Sequence, residues 1–155
     1  MAEVSTLEQR IDRALTAAMK ARDAARVAAL RNIRAELERR RIEKRAPLGE
    51  DEVLAALGTL AKQRRESIAQ FRAGGREDLV AKEEADLAVI EEFLPAPLSE
   101  EELRAEAARA VEEVGATGPR DMGRVMKVLM TRVRGRADGG RVSALVRELL
   151  AGERN

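Results

Sequence analysis

The chain contains no cysteine, histidine, tryptophan or tyrosine. Without cysteine there is no disulfide, no thiolate metal site and no thiol nucleophile. Without histidine the usual general base and the commonest metal ligand are missing. Phe71 and Phe93 are the only aromatic residues among 155, too few to form a platform for stacking bases. Alternating runs of β-branched and aromatic residues, which strands need, are almost absent. No apolar run approaches the length that spans a bilayer, and no secretory signal pattern stands at the N-terminus. The expected location is therefore the cytoplasm.

What the chain does contain is Ala, Leu, Glu and Arg, the residues that lose least entropy on entering a helix. The expectation is an all-α protein whose cores are built from Leu, Val, Ile, Met and Ala. The formal charge is +1, from 29 basic and 28 acidic residues, so net charge alone does not draw it to nucleic acid. Most of the basic residues are Arg, which genome base composition explains as readily as phosphate recognition does. The distribution is more informative. Glu100 to Glu113 holds six acids and two bases, whereas Arg120 to Arg147 holds eight bases and two acids.

Ser5 and Glu8 form the pattern of a reciprocal capping box and open a first helix. Its apolar face is Leu7, Ile11, Leu15 and Ala18. After a break near Arg22–Asp23, a second helix places Val27, Leu30, Ile33 and Leu37 inward. It ends in the run Arg39, Arg40, Arg41, Lys44, Arg45, and Pro47 and Gly49 stop it. A third helix spans about 51–72 and a fourth about 76–93. The Gly74–Gly75 connection between them is so short that the two must lie antiparallel. Leu94-Pro95-Ala96-Pro97 is the clearest boundary, because two prolines in three residues end a helix and favour an extended link. Ser99 and Glu102 make a second capping box, opening a helix that Gly115 closes. Pro119 is suited to the first position of the next helix, which runs to Gly135, and Asp138 to the cap of the last. The reading is a helical bundle of about four helices over 1–94, a linker at 95–97, and a small three-helix domain over 98–151.

Catalytic constellations are lacking. Ser5 and Ser99 read as caps, Ser67 and Ser143 lie within helices, and none sits on a Gly-x-Ser-x-Gly elbow. No Gly-x-x-x-x-Gly-Lys loop is present to cradle a nucleotide phosphate. The acidic clusters Glu83-Glu84-Asp86 and Glu91-Glu92 have helical spacing and arginine neighbours, so they read as salt-bridged faces before they read as a cation site. No cofactor or metal is expected.

Three basic segments are candidates for binding. In Lys62-Gln63-Arg64-Arg65-Glu66-Ser67, Arg64 falls on the buried seam of the third helix, opposite roughly residue 85 of the fourth. An ion pair with Glu83 or Asp86 is the first reading, and phosphate contact by the exposed Arg65 and Arg72 is the second. The Arg39–Arg45 run, with Arg39 and Arg40, reads first as a solvated helix end and second as a phosphate-facing site. The sharpest signal lies in the C-terminal segment. Arg124 and Lys127 share a helix face there, and Arg132, Arg134 and Arg136 crowd around Gly135 ahead of a helix N-terminus that includes Arg141. Backbone N–H groups and guanidinium groups together attract phosphate. A plain loop, with Asp138 capping the last helix and pairing with Arg136, remains the equal alternative.

These residues also carry a resemblance. Lys-Gln-Arg-Arg-Glu-Ser-Ile at 62–68, Ala-Gly-Gly-Arg-Glu-Asp-Leu at 73–79 and Phe-Leu-Pro at 93–95 resemble the YqeY-like family. So do Met-Gly-Arg-Val-Met-Lys at 122–127, Gly-Arg-Ala-Asp-Gly at 135–139 and the Val142 to Leu150 apolar pattern. This second group is also similar to the tail domain of GatB, a subunit of the glutamine-dependent aspartyl/glutamyl-tRNA amidotransferase. A second glycine at Gly75, and Gly49 where a capping Ser or Thr is expected, are small departures. The resemblance implies an N-terminal bundle and a C-terminal module that contacts tRNA or another structured RNA. It also implies an association with an amidotransferase or another translation protein. A carbon–nitrogen ligase activity with glutamine as amide donor would follow by family association only, since this chain resembles the tail and not the domains that do the chemistry. The RNA-binding residues implied are Arg124, Lys127, Arg132, Arg134, Arg136 and Arg141, with Arg39, Arg40, Arg65 and Arg72 as a secondary basic site. A docking module for a protein partner is the alternative.

Overall fold

The computed structural model describes residues 5–152. These residues form seven α-helices, with no strand among them. The chain divides into two compact units, one ending at Pro95 and the other beginning at Ala96.

The first unit contains α1 (Thr6–Lys20), α2 (Ala24–Lys44), α3 (Glu50–Ala73) and α4 (Glu77–Glu91). Leu7, Ile11, Leu15 and Ala18 of α1 are buried, as their helical spacing predicts. The start of α1 differs from the predicted capping box. The Ser5 hydroxyl does accept from the Glu8 backbone N–H at 3.4 Å. Glu8, however, does not return the bond; its carboxylate pairs with Arg41 of α2 at 2.6 Å. Glu50, in the first turn of α3, takes over the capping. Its carboxylate accepts from the N–H groups of Leu7 (2.9 Å) and Thr6 (3.1 Å) and from the Ser5 hydroxyl (3.0 Å). The orphan donors of one helix are thus satisfied by the next-but-one helix.

Asp23 caps α2 by accepting from Arg26 N–H at 3.1 Å. The pairs Asp12–Arg34 at 3.1 Å and Glu8–Arg41 at 2.6 Å run in opposite directions along α1 and α2, which are therefore antiparallel. The α3–α4 hairpin has the same sense, with Arg72–Glu84 at 2.8 Å near its turn and Arg65–Glu91 at 3.7 Å farther away. Gly75 has φ +71°, a left-handed geometry that a side chain would strain. The second glycine is thus the residue this turn requires. Helix α4 stops at Glu91, short of the predicted end, and Phe93 then folds into the core. Around it the largest fully buried side chains of this unit are Ile11, Leu30, Ile33, Val53 and Leu57.

The second unit contains α5 (Glu100–Val114), a 3₁₀ turn over Pro119–Asp121, α6 (Met122–Val133) and α7 (Gly139–Gly152). The Ser99–Glu102 capping box forms in both directions, at 3.0 and 3.2 Å. Gly115 closes α5 with φ +65°. Pro119 opens the 3₁₀ turn and not the helix itself, so α6 begins three residues later than predicted. Val125, Leu129, Val133, Val142, Leu145 and Val146 are fully buried. With both phenylalanines in the first unit, this core is entirely aliphatic.

Candidate nucleic-acid interface

The charges that are segregated in sequence are paired in space. Helix α5 carries the acidic excess, and it packs against the basic α6 and α7. Arg132 of α6 is held by Glu113 of α5, and Arg141 in the first turn of α7 by Glu100 of α5. The Arg141 guanidinium holds the Glu100 carboxyl below the usual carboxylate range.

Arg124 is engaged twice. It pairs with Asp121 at 2.6 Å and donates to the Val114 carbonyl, at the C-terminus of α5, at 3.0 Å. Asp121 also accepts from Thr117 N–H at 2.8 Å. The Thr117 N–H first, then the Arg124 guanidinium, pull the Asp121 carboxyl down from its ordinary 3.8 to about 2.

Arg136 has a further structural task. Its Nε donates to the Ala96 carbonyl at 3.0 Å, while Leu98 N–H donates to the Arg136 carbonyl at 2.8 Å. The extended segment after Pro95 is stapled by these two bonds to the loop between α6 and α7. At the α7 N-terminus the Asp138 carboxylate accepts from Arg141 N–H at 3.0 Å, so a carboxylate stands where the sequence offered a place for phosphate.

Four of the six sequence candidates, Arg124, Arg132, Arg136 and Arg141, are therefore engaged inside the second unit. Lys127 and Arg134 are not; neither side chain makes a hydrogen bond or ion pair among the described residues. Lys127 lies within α6, and Arg134 follows its last residue as the C-terminal cap, seven residues on. Arg120 stands seven residues before Lys127, is exposed, and is equally unpaired. Lys127 stands on the side of α6 opposite the buried Val125 and Leu129, and Arg120 in the 3₁₀ turn and Arg134 at the C-cap flank it along the chain as a basic ridge. Gly123 lies beside it on open surface, with nothing within 4 Å of where a Cβ would stand. Sequence reasoning missed Arg120 as a member, although its seven-residue spacing to Lys127 was visible. Arg147 on α7 is also exposed, and its side chain is unpaired among the described residues.

The secondary basic residues are paired throughout. Arg39 binds Glu36 at 2.7 Å and Glu43 at 3.0 Å, and Arg40 binds Glu36 at 2.9 Å. Arg65 and Arg72 meet Glu91 and Glu84 of α4. Arg64 pairs with Glu83 at 3.0 Å, the contact predicted from the two apolar seams. The pair is poorly aligned: Arg64 Nε and Glu83 Oε2 are both buried without a hydrogen bond. The acidic residues Glu83, Glu84, Glu91 and Glu92 each face an arginine. Among the described residues no three acidic side chains converge as metal ligands, and no helix is long and apolar enough to cross a membrane.

The fold and this surface define an all-helical protein in which most arginines are tied to carboxylates and Arg120, Lys127 and Arg134, in and beside α6, have free side chains among the described residues. A family model described as Yqey-like protein matches residues 8–150, and the chain belongs to that family. No curated protein matches it.

Proposed function

We propose that this protein is a non-catalytic RNA-binding accessory, acting on tRNA or another structured RNA through the helical module over 98–151. The supporting observation is the free ridge of Arg120, Lys127 and Arg134. An exposed arginine already paired to a carboxylate gives up that pair to meet a phosphate, and leaves a carboxylate behind to repel it. A free cation meets phosphate without either loss and releases counterions as it does so. Lys127 and Arg134 are accordingly the principal phosphate contacts, with Arg120 beside them. Arg124, Arg132, Arg136 and Arg141 act mainly by holding α5, α6 and α7 together. The resemblance of this module to the GatB tail makes tRNA the preferred RNA, with a place beside the aspartyl/glutamyl-tRNA amidotransferase in the cytoplasm. Glutamine-dependent ligase activity belongs to that enzyme and not to this chain.

Filter binding of tRNA over a range of salt concentrations tests this reading. Three neutralised phosphates predict that log K falls with log salt at a slope of about −2 to −3. The double substitution Lys127→Ala/Arg134→Ala is expected to make the slope shallower by about 2. Failure to bind at low salt would contradict the reading, and so would an unchanged slope in that variant. Incubation of the purified chain with glutamine and tRNA is expected to release no ammonia.

A further inference from the structure

Only two large apolar side chains stand exposed among the described residues, Met19 at 51 % and Ile42 at 67 %. Ile42 lies among the charged pairs at the end of α2. Met19 has a different setting. It lines an open groove of about 460 Å³ at the corner where α1 gives way to α2, together with Ala24, Val27, Ala28, Arg22 and Arg31. Ala24, Val27, Ala28 and Arg31 recur at i, i+3, i+4 and i+7, so they form one stripe along α2.

The cations lining this groove are unmet. The side chains of Arg22 and Arg31 make no hydrogen bond or ion pair among the described residues, and neither do those of Arg13 and Lys20 on α1. Other arginines of α2 contrast with them: Arg26, Arg34, Arg39, Arg40 and Arg41 all have carboxylate partners. A second groove of about 570 Å³ begins at Arg31 and runs on along α2, and there Arg34 and Arg41 are already matched by Asp12, Glu8 and Glu38. Among the arginines within α2, the one left without a carboxylate, Arg31, is thus the one beside the exposed apolar floor.

We infer that this corner docks an acidic amphipathic helix of another protein, with apolar side chains against Met19 and Val27 and carboxylates against Arg22 and Arg31. A helix laid in a groove meets its partner at i, i+3, i+4 and i+7, the spacing that this stripe presents. Flanking cations select a partner with acidic residues beside its apolar anchors. The apolar floor gives a bare phosphate nothing to contact. A floor of one Met, one Val and two alanines, without an aromatic ring, is too small and too flat to anchor in a bilayer.

The probe is a fluorescein-labelled helical peptide of about eighteen residues, with Leu at i, i+3, i+4 and i+7 and Glu on its flanks. A control peptide carries Lys in place of every Glu. Anisotropy with the full chain is expected to give saturable binding of the Glu peptide at about tens of micromolar, and none of the Lys peptide. Met19→Lys and the double substitution Arg22→Glu/Arg31→Glu should each weaken it about tenfold or more. Lys127→Ala/Arg134→Ala in the other unit should leave it unchanged. Met19, Arg22, Arg31 and Lys127 are exposed and Arg134 is half-buried, so circular dichroism is expected to show an intact fold in every variant. Backbone amide shifts on peptide addition should concentrate on residues 19–31. The inference is overturned if neither peptide binds, if both bind equally, or if the shifts lie elsewhere. It is equally overturned if Met19→Lys instead abolishes self-association or binding to phosphatidylglycerol vesicles, which would name a second copy or a membrane as the occupant. Loss of tRNA binding in the Lys127/Arg134 variant is read separately, so the two proposals fail independently.

Discussion

The two units both tie arginines to carboxylates, but they differ in where cations are left free. In the first, arginines on α2 and α3 pair with carboxylates from neighbouring turns and helices, while Arg22 and Arg31 stay unpaired among the described residues at one apolar corner. In the second, the acidic α5 neutralises part of α6 and α7 and leaves Arg120, Lys127 and Arg134 free in and beside α6. The difference teaches that counting basic residues along a segment overestimates a binding patch. What remains for a ligand is the set of cations that the fold has not already used.

Stability separates the units further. The second has fewer than about seventy residues and an aliphatic core, a size at which a single core supplies little surplus. The largest effect is therefore expected from Leu129→Ala, at a side chain that is fully buried. Removing it costs about 2–5 kcal/mol, enough to abolish cooperative unfolding of the second unit. Hydrogen exchange should show that unit unprotected while α1 to α4 stay protected. Protection surviving in α5 to α7 would mean that this unit is sturdier than its size implies.

Next comes the Arg64–Glu83 pair, half-buried and incompletely hydrogen-bonded. Glu83→Ala leaves a sheltered guanidinium without its partner and is expected to cost about 1–3 kcal/mol. Replacing both residues by Leu should cost less than that single substitution. Urea midpoints for the single and double variants check this, and a costlier double variant would contradict it. A smaller effect is expected at Glu50. Glu50→Ala removes the carboxylate that caps α1 from α3, at about 0.5–2 kcal/mol by analogy with other N-terminal caps. Its measurable signature is faster amide exchange at Thr6 and Leu7.

The smallest effect is a local pH response in the second unit. The depressed Asp121 carboxyl favours the folded loop while ionised. Its contribution is fully present above the ordinary 3.8 and is lost as pH falls toward about 2. Between those values Thr117 N–H should lose protection, and Asp121→Asn should remove the pH dependence in that window. An NMR titration of the Thr117 amide reads this directly.

Features set by neighbours in sequence were legible. The Ser99–Glu102 capping box, the break at Asp23 and the α3–α4 hairpin all follow from residues within a few positions of each other. The Arg64–Glu83 contact was legible too, because a two-residue turn fixes the register of the helices it joins. Features set by distant partners were not. Glu8 reads as half of a capping box until Arg41, 33 positions away, claims it. Arg132 and Arg141 read as ligand contacts because α5, which supplies Glu113 and Glu100, is separated from them along the chain. Helix α6 starts late because Pro119 suits a 3₁₀ turn as well as a helix start.

The central claim, that free cations and not paired ones bind RNA, is tested most directly by two matched triple variants. Arg120→Ala/Lys127→Ala/Arg134→Ala removes the free ridge, and Arg124→Ala/Arg132→Ala/Arg141→Ala removes an equal charge from paired positions. Once hydrogen exchange has confirmed that both remain folded, tRNA affinity at one low salt concentration is compared. The first is expected to lose about a hundredfold or more and the second about tenfold or less. Equal losses, or a larger loss in the second, would contradict the account.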